Sequence, residues 1–170
     1  MKLEIGAGTT KRAGYKSLDL NPNVGADIVA DARATGLAND SIEEILTVHV
    51  IEHFWWTEIA DVLREWHRVL EPNGKLILHT PDLDGCVKGW QDGSWKNELS
   101  SPGYHFPKKT GTDRTEWLNH KLQGTEAIGN AHNTNFNFEY LRDFLLEAGF
   151  KTVNHVPSGD PFTLIVEAIK

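Results

Sequence analysis

The sequence predicts an α/β fold: five parallel strands joined by crossover connections, then a helix and a terminal antiparallel hairpin. Three observations lead to it. Short apolar runs alternate along the chain with longer amphipathic stretches, the pattern of strands alternating with helices. Thr57–Leu70 repeats apolar residues at steps of three and four. The last two apolar runs are separated only by Pro157-Ser158-Gly159-Asp160-Pro161, too short for a crossover helix, so they pair antiparallel.

Taken in order, Lys2–Ile5 reads as the first strand and runs into the glycine turn Gly6-Ala7-Gly8. Lys16–Leu20 reads as the second, closed by Asn21-Pro22-Asn23, and Asp27–Ala30 as a short third. The seven residues Lys11–Ser17 are too few for a full crossover helix, so the first helix is expected to be shortened or absent. Ile42–Val48 suits a fourth strand. Thr57–Leu70 is a helix with Ile59, Val62, Leu63, Trp66, Val69 and Leu70 on one face and Thr57 as the expected N-cap. Glu71-Pro72-Asn73-Gly74 stops it, and Lys75–His79 follows as the fifth strand. Asp82–Trp90 and Asp113–Leu122 are further helices, with loop between them. Phe138–Ala148 is the last helix, with Gly149 at its C′ position; Lys151–Val156 and Phe162–Ala168 form the hairpin.

The 170 residues fit one domain, 1–170, large enough to bury a core without metal or disulfide staples. Residues from about 82 to 135 form a loop and helix insert, expected to cover the acceptor side of a site. Cys86 is the single cysteine and has no disulfide partner, which points to a reducing, cytoplasmic setting. Neither a charged-then-apolar leader nor an apolar run of about 20 residues is present, so no signal peptide and no membrane association are expected. A net charge of −7, with Lys108, Lys109 and Arg114 as the best basic cluster, disfavours nucleic acid and favours a small-molecule partner.

Five motifs carry the chemistry. Gly6 and Gly8 lack a β-carbon, so the backbone can turn tightly and approach a ligand. Asp19, ending the second strand, is placed to accept hydrogen bonds from ribose hydroxyls; capping of the Asn21-Pro22 turn is the alternative. Asp31, after the third strand, is placed to accept from an adenine amino group. His49-Val50-Ile51-Glu52-His53 matches the zinc-peptidase pattern H-x-x-E-H, which needs both histidines on one helix. Here the run continues a strand instead, so no metal is expected, and strand four delivers these residues to the ligand crevice of an open α/β sheet. Arg68-Val69-Leu70-x-Pro72-x-Gly74 reads as helix, stop and strand.

Together, Leu3–Gly8, Ser17–Asn21 with Asp27–Asp31, His49–Phe54, Arg68–Leu76 running into Thr80-Pro81-Asp82, and Phe138–Phe150 resemble the class I S-adenosylmethionine-dependent methyltransferases, in particular small bacterial and viral members of undefined acceptor. The resemblance covers about two thirds of the chain. It implies a Rossmann-like, mostly parallel seven-stranded sheet with an antiparallel C-terminal hairpin and helices on both faces. It implies S-adenosyl-L-methionine as cofactor. Glu4, Gly6, Ala7 and Gly8 would surround its methionine end, Asp19 and Leu20 its ribose, and Asp31 and Ala32 its adenine. His49 and Val50 would border it after strand four. The third family glycine is replaced here, at Thr9-Thr10.

The expected function is methyl transfer to the oxygen or nitrogen of a small acceptor, a sugar or other metabolite. His53 is the first candidate general base and His132 the second, a structural histidine bonding backbone being the alternative for each; His105 and His120 have weaker claims. Trp90, Trp95, Tyr104, Phe106 and Trp117 in the insert would either stack on the acceptor or form a satellite core or a homodimer contact. The alternatives are a catalytically silent nucleoside-binding module and a nicotinamide-dependent oxidoreductase. The second is disfavoured by the eleven-residue step from Gly8 to Asp19 and by the terminal hairpin.

Overall fold

The computed structural model describes residues 1–100, 114–124 and 131–170. Tyr104, His105, Phe106, Lys108 and Lys109 lie outside the described residues.

The chain forms β1 (Lys2–Ile5), β2 (Tyr15–Asp19), β3 (Ile28–Val29), β4 (Ile42–Val48), α1 (Ile59–Val69), β5 (Leu70–Pro81), α2 (Leu83–Asp92), α3 (Arg114–Gln123), α4 (Phe138–Glu147), β6 (Thr152–Val156) and β7 (Thr163–Ile169). The seven strands make one sheet in the order β3-β2-β1-β4-β5-β7-β6. β1 to β5 pair in parallel, and β7 runs antiparallel to both β5 and β6. The strand order therefore reverses between β1 and β4, and their carboxyl ends open a crevice there, where open α/β sheets bind ligands.

Burial follows from the two periodicities. On β1, β4, β5 and β7 the alternate residues Leu3, Ile5, Ile45, Leu76, Leu78, Leu164, Val166 and Ala168 face one side and are buried. Against them α1 lays Ile59, Val62, Leu63, Trp66 and Val69, each with no solvent exposure, and α4 adds Leu141 and Leu145. The opposite side of the sheet carries a charged cluster beside Leu46 and Ile77. Lys2 and Lys75 flank Glu44, Tyr15 donates to the same carboxylate, and Lys75 reaches on to Glu167. Burial and that hydrogen bond push the Tyr15 phenol up to about 12.

The first connection, from Gly6 to Gly14, contains no helix, as its length requires. Three expectations need correction. Thr57 is not the N-cap: α1 begins after Glu58, whose carboxylate turns back to accept the Trp55 amide at 3.0 Å and the Arg33 guanidinium at 2.9 Å. Glu71–Gly74 does not stand apart from the fifth strand but is a bulge inside β5. Ile42 pairs with Leu70 and Glu44 with Lys75, so the extra residues bow out, with Asn73 at φ +66° and Pro72 needing no ladder donor. Finally, Ser94–Ser100, read as loop, coils into 3₁₀ turns.

Trp95 and Trp117 are both buried. They pack with Cys86 and Phe162 into a second small core, joined by partly buried Trp90. That core fastens α2 and α3 over the carboxyl ends of the strands, because Phe162 immediately precedes β7 and Cys86 lies in α2. Burial pushes the Cys86 thiol up to about 12, so it remains protonated and unreactive. Among the described residues no helix is long and apolar enough to cross a membrane.

Candidate active site

The glycine turn is held in one shape. Gly6 and Ala7 both donate to the Leu18 carbonyl, at 2.8 and 3.3 Å, and Gly8 donates to Asp19 Oδ2 at 2.7 Å. Asp19 Oδ1 accepts from the Asn21 amide at 2.8 Å. The Asp19 carboxylate thus organises both turns at once, and each oxygen keeps acceptor capacity for a further donor. Gly6 has φ +70°, and a β-carbon on it would stand 2.2 Å from Val50 Cγ2. The glycine is required because the loop after β4 crosses directly over it. Leu20, next to Asp19, is 66% exposed, an apolar side chain at the mouth of the crevice with little protein against it.

Glu4, on β1, is 4% exposed. Arg12 reaches its Oε1 at 3.3 Å, but its Oε2 is buried with no hydrogen-bond partner among the described residues. A buried carboxylate oxygen left unpaired is costly.

On the other side of the crevice, Asp31 is clasped by Arg33 through its backbone amide and guanidinium, at 2.6–3.1 Å. The guanidinium holds the Asp31 carboxyl below the usual carboxylate range. Ala32 gives its carbonyl to the Trp66 indole at 2.9 Å, so the segment is tied to the core of α1. The Asp31 carboxylate is thus already engaged by Arg33.

The H-x-x-E-H run is not one helix. His49 takes φ +55° and turns the chain out of β4, Val50 packs on Gly6, and Ile51–His53 makes a single 3₁₀ turn. This swings Glu52 inward. It is 1% exposed, and its carboxylate accepts from His49 Nδ1 at 2.8 Å and Thr80 Oγ1 at 3.2 Å. Its backbone carbonyl accepts the amides of Asn133 and Thr134. Asn133 Nδ2 donates to the His53 carbonyl at 2.7 Å and Thr134 Oγ1 to the Phe54 carbonyl at 2.8 Å. Residues 131–134 are thereby clamped along 52–54, although 80 positions separate them in sequence.

That clamp brings His132 to His53. Their ring centroids are 5.2 Å apart at 64°. Each imidazole is steered through Nδ1: His53 to the Ala131 carbonyl at 3.1 Å, His132 to the Lys121 carbonyl at 3.0 Å. A carbonyl only accepts, so both Nδ1 atoms carry hydrogen, and in the neutral ring Nε2 then keeps the lone pair. Burial holds His132 below the ordinary histidine value of 6.5, and the neighbouring His53 pushes the same way, against Glu52. With His49, Pro81, His120, Lys121 and Gly124 they line a cleft of about 400 Å³. Metal-ligating atoms of Glu52, His53 and His132 lie within 4.8 Å of one another.

Sequence reasoning named His49, His53 and His132 separately and passed over Glu52 as the group that joins them. Its signal was a lone carboxylate between Ile51 and His53, just after a strand. Arg12 carried no sequence signal and Thr80 stood only in the run Thr80-Pro81-Asp82, since the first loop and strand pairing bring them to Glu4 and Glu52.

Residues 3–78 match the family model described as a methyltransferase domain. No curated protein matches the chain in sequence. Among solved structures, it is similar to a SAM-dependent methyltransferase from Thermotoga maritima (19% identical, TM-score 0.61, covering 99% of this chain and 81% of that one). It is similar to a SAM-dependent methyltransferase from Archaeoglobus fulgidus (13%, TM-score 0.62, 99% and 85%). It is also similar to a protein from Bordetella parapertussis (14%, TM-score 0.62), of whose length it spans 61% against 99% of its own.

Proposed function

We propose that this chain, which resembles the class I S-adenosylmethionine-dependent methyltransferases in fold and over residues 3–78, binds S-adenosyl-L-methionine at the glycine turn and methylates a small acceptor held in the histidine cleft. The observation that carries the reading is the buried, unpartnered Oε2 of Glu4 beside the Gly6–Gly8 cradle. An α-ammonium group supplies the donor that oxygen lacks.

The rest of the cofactor assignment follows the crevice. Ala7 and Gly8 present backbone at the cradle. Asp19 has acceptor capacity left for ribose hydroxyls, and Leu20 offers apolar cover beside it. Asp31 and Ala32, fixed by Arg33 and Trp66, form a rigid adenine wall. His49 and Val50 stand between this pocket and the cleft.

When bound, the cofactor supplies an electrophilic methyl group, which the acceptor's lone pair displaces from sulfur. The protein's part is alignment and proton removal. His53 Nε2 is the first group placed to take the acceptor proton, with His132 beside it. Backbone carbonyls orient both rings, so little reorganisation is needed. The insert at 82–135 supplies His120, Lys121, Gly124 and His132 to the cleft, in keeping with an acceptor-side cover. A cleft of about 400 Å³ suits an acceptor of metabolite size, an oxygen or nitrogen nucleophile. The lone, buried Cys86 fits a reducing, cytoplasmic setting.

Calorimetric titration with S-adenosylhomocysteine and with NAD tests the reading. Binding of the first alone, lost in Asp19→Ala and weakened in Glu4→Gln, is the expected result. Binding of NAD alone refutes it.

A further inference from the structure

We propose that Glu52, His53 and His132 form a binding site for a divalent first-row transition-metal ion, such as zinc or manganese, in the wall of the histidine cleft. The sequence led to no metal being expected at the H-x-x-E-H run, because that pattern needs His49 and His53 on one helix. The fold uses the run differently. His49 leaves the chain at φ +55° and backs Glu52, while His132 arrives from the far end of the insert to stand beside His53.

Four features make this a ligand set. The ligating atoms of the three side chains already lie within 4.8 Å of one another. Metal–nitrogen and metal–oxygen distances of about 2.0–2.2 Å place ligand atoms about 3–4 Å apart, so the group closes by roughly an ångström. Both imidazoles donate Nδ1–H to backbone carbonyls, of Ala131 and Lys121, leaving Nε2 free. This is how metal-bound histidines are oriented. Glu52 is 1% exposed, and among the described residues no lysine or arginine pairs with it. Its partners, His49 Nδ1 and Thr80 Oγ1, orient the carboxylate and leave lone pairs for a cation. Lastly, Asn133 and Thr134 bond to the backbone of 52–54, so the two halves of the set are held in register by the fold.

Two nitrogens and one carboxylate oxygen suit borderline divalent ions better than magnesium or calcium, which prefer oxygen ligands alone. Three protein ligands leave coordination positions open. Because the two imidazoles line the cleft and Glu52 lies buried behind them, those positions face the cleft. An oxygen of the acceptor would fill one and be acidified there, replacing direct proton removal by His53. This role rests on the methyltransferase reading; ion binding itself does not.

The test uses full-length protein dialysed against EDTA and titrated with zinc chloride and manganese chloride by calorimetry. Cobalt chloride serves as an optical probe through its visible d–d bands. Wild type is expected to take up one equivalent. His132→Ala and Glu52→Gln should each weaken uptake roughly tenfold or more, with circular dichroism melts of the metal-free proteins as the check on folding. Paramagnetic broadening of the His53 and His132 ring signals by manganese, in wild-type protein, reads the site without any substitution. Absence of uptake, uptake unchanged in both variants, or no broadening of those signals overturns the proposal. Parallel titration with S-adenosylhomocysteine separates the two readings. Metal uptake without nucleoside binding upholds the ion site and overturns the methyltransferase assignment; nucleoside binding without metal uptake does the reverse.

Discussion

Gly6 shows how one residue joins the glycine turn to the loop after β4. Its φ of +70° suits glycine, and the 2.2 Å approach of Val50 Cγ2 leaves no room for a methyl group. Gly8, at φ +53°, has open space where a β-carbon would stand. Gly6→Ala is therefore expected to cost about 1–3 kcal/mol for the forced backbone alone, with a further penalty from the clash. It should also sharply weaken S-adenosylhomocysteine binding. Gly8→Ala should cost no more than the backbone part. Denaturant melts and calorimetric titration of both variants check this; equal effects at the two positions would contradict the geometry. Glu52 matters at the same scale. It is a buried carboxylate whose side chain gathers His49 and Thr80 while its carbonyl holds the returning chain at Asn133 and Thr134.

At the scale of elements, α1 is the helix on which the sheet depends. Five of its residues have no exposure, whereas its N-terminus has no side-chain cap hydrogen bond. Packing rather than capping therefore stabilises it. Leu63→Ala should destabilise the protein by about 2–5 kcal/mol, through lost burial and the cavity left behind. Urea unfolding followed by circular dichroism measures it. A loss below about 1 kcal/mol would mean that α1 is not packed as described. Arg33, by contrast, is half-exposed, and its ion pairs with Asp31 and Glu58 matter for the shape of the loop after β3 more than for stability.

For the whole molecule, four histidines set an acid limit. His67, His79, His120 and His132 are all held below the ordinary value of 6.5, in each case chiefly by burial. Each stays neutral in the folded protein to lower pH than in the unfolded chain. Below about pH 6.5 the unfolded state therefore binds more protons, and stability falls as the pH falls. Above about pH 7 both states are neutral and this contribution is fully present. Carboxylates held low by their partners, such as Asp31 and Glu65, add to the loss only in more acidic solution. Denaturant midpoints measured from pH 8 to 5 should be level at first and then decline below about 6.5. A midpoint that rises over that interval would contradict the burial of these rings.

Periodicity and turn chemistry alone determined the strands, the apolar face of α1, the missing first helix and the terminal hairpin, because these depend on which neighbours in the chain are apolar, small or helix-breaking. The bulge in β5 was misread as a separate turn, since pairing across the sheet carries the strand through Pro72 and Asn73. The glycine cradle and Asp19 were legible for the same local reason: one short connection builds both. The histidine cleft was not. His49, Glu52 and His53 could be seen as a motif, but its helical or non-helical form depended on His49 entering the left-handed region. The meeting of His53 with His132 depended on hydrogen bonds spanning 80 residues. Contacts between segments so far apart are decided by the packing of the whole chain, which no local pattern encodes.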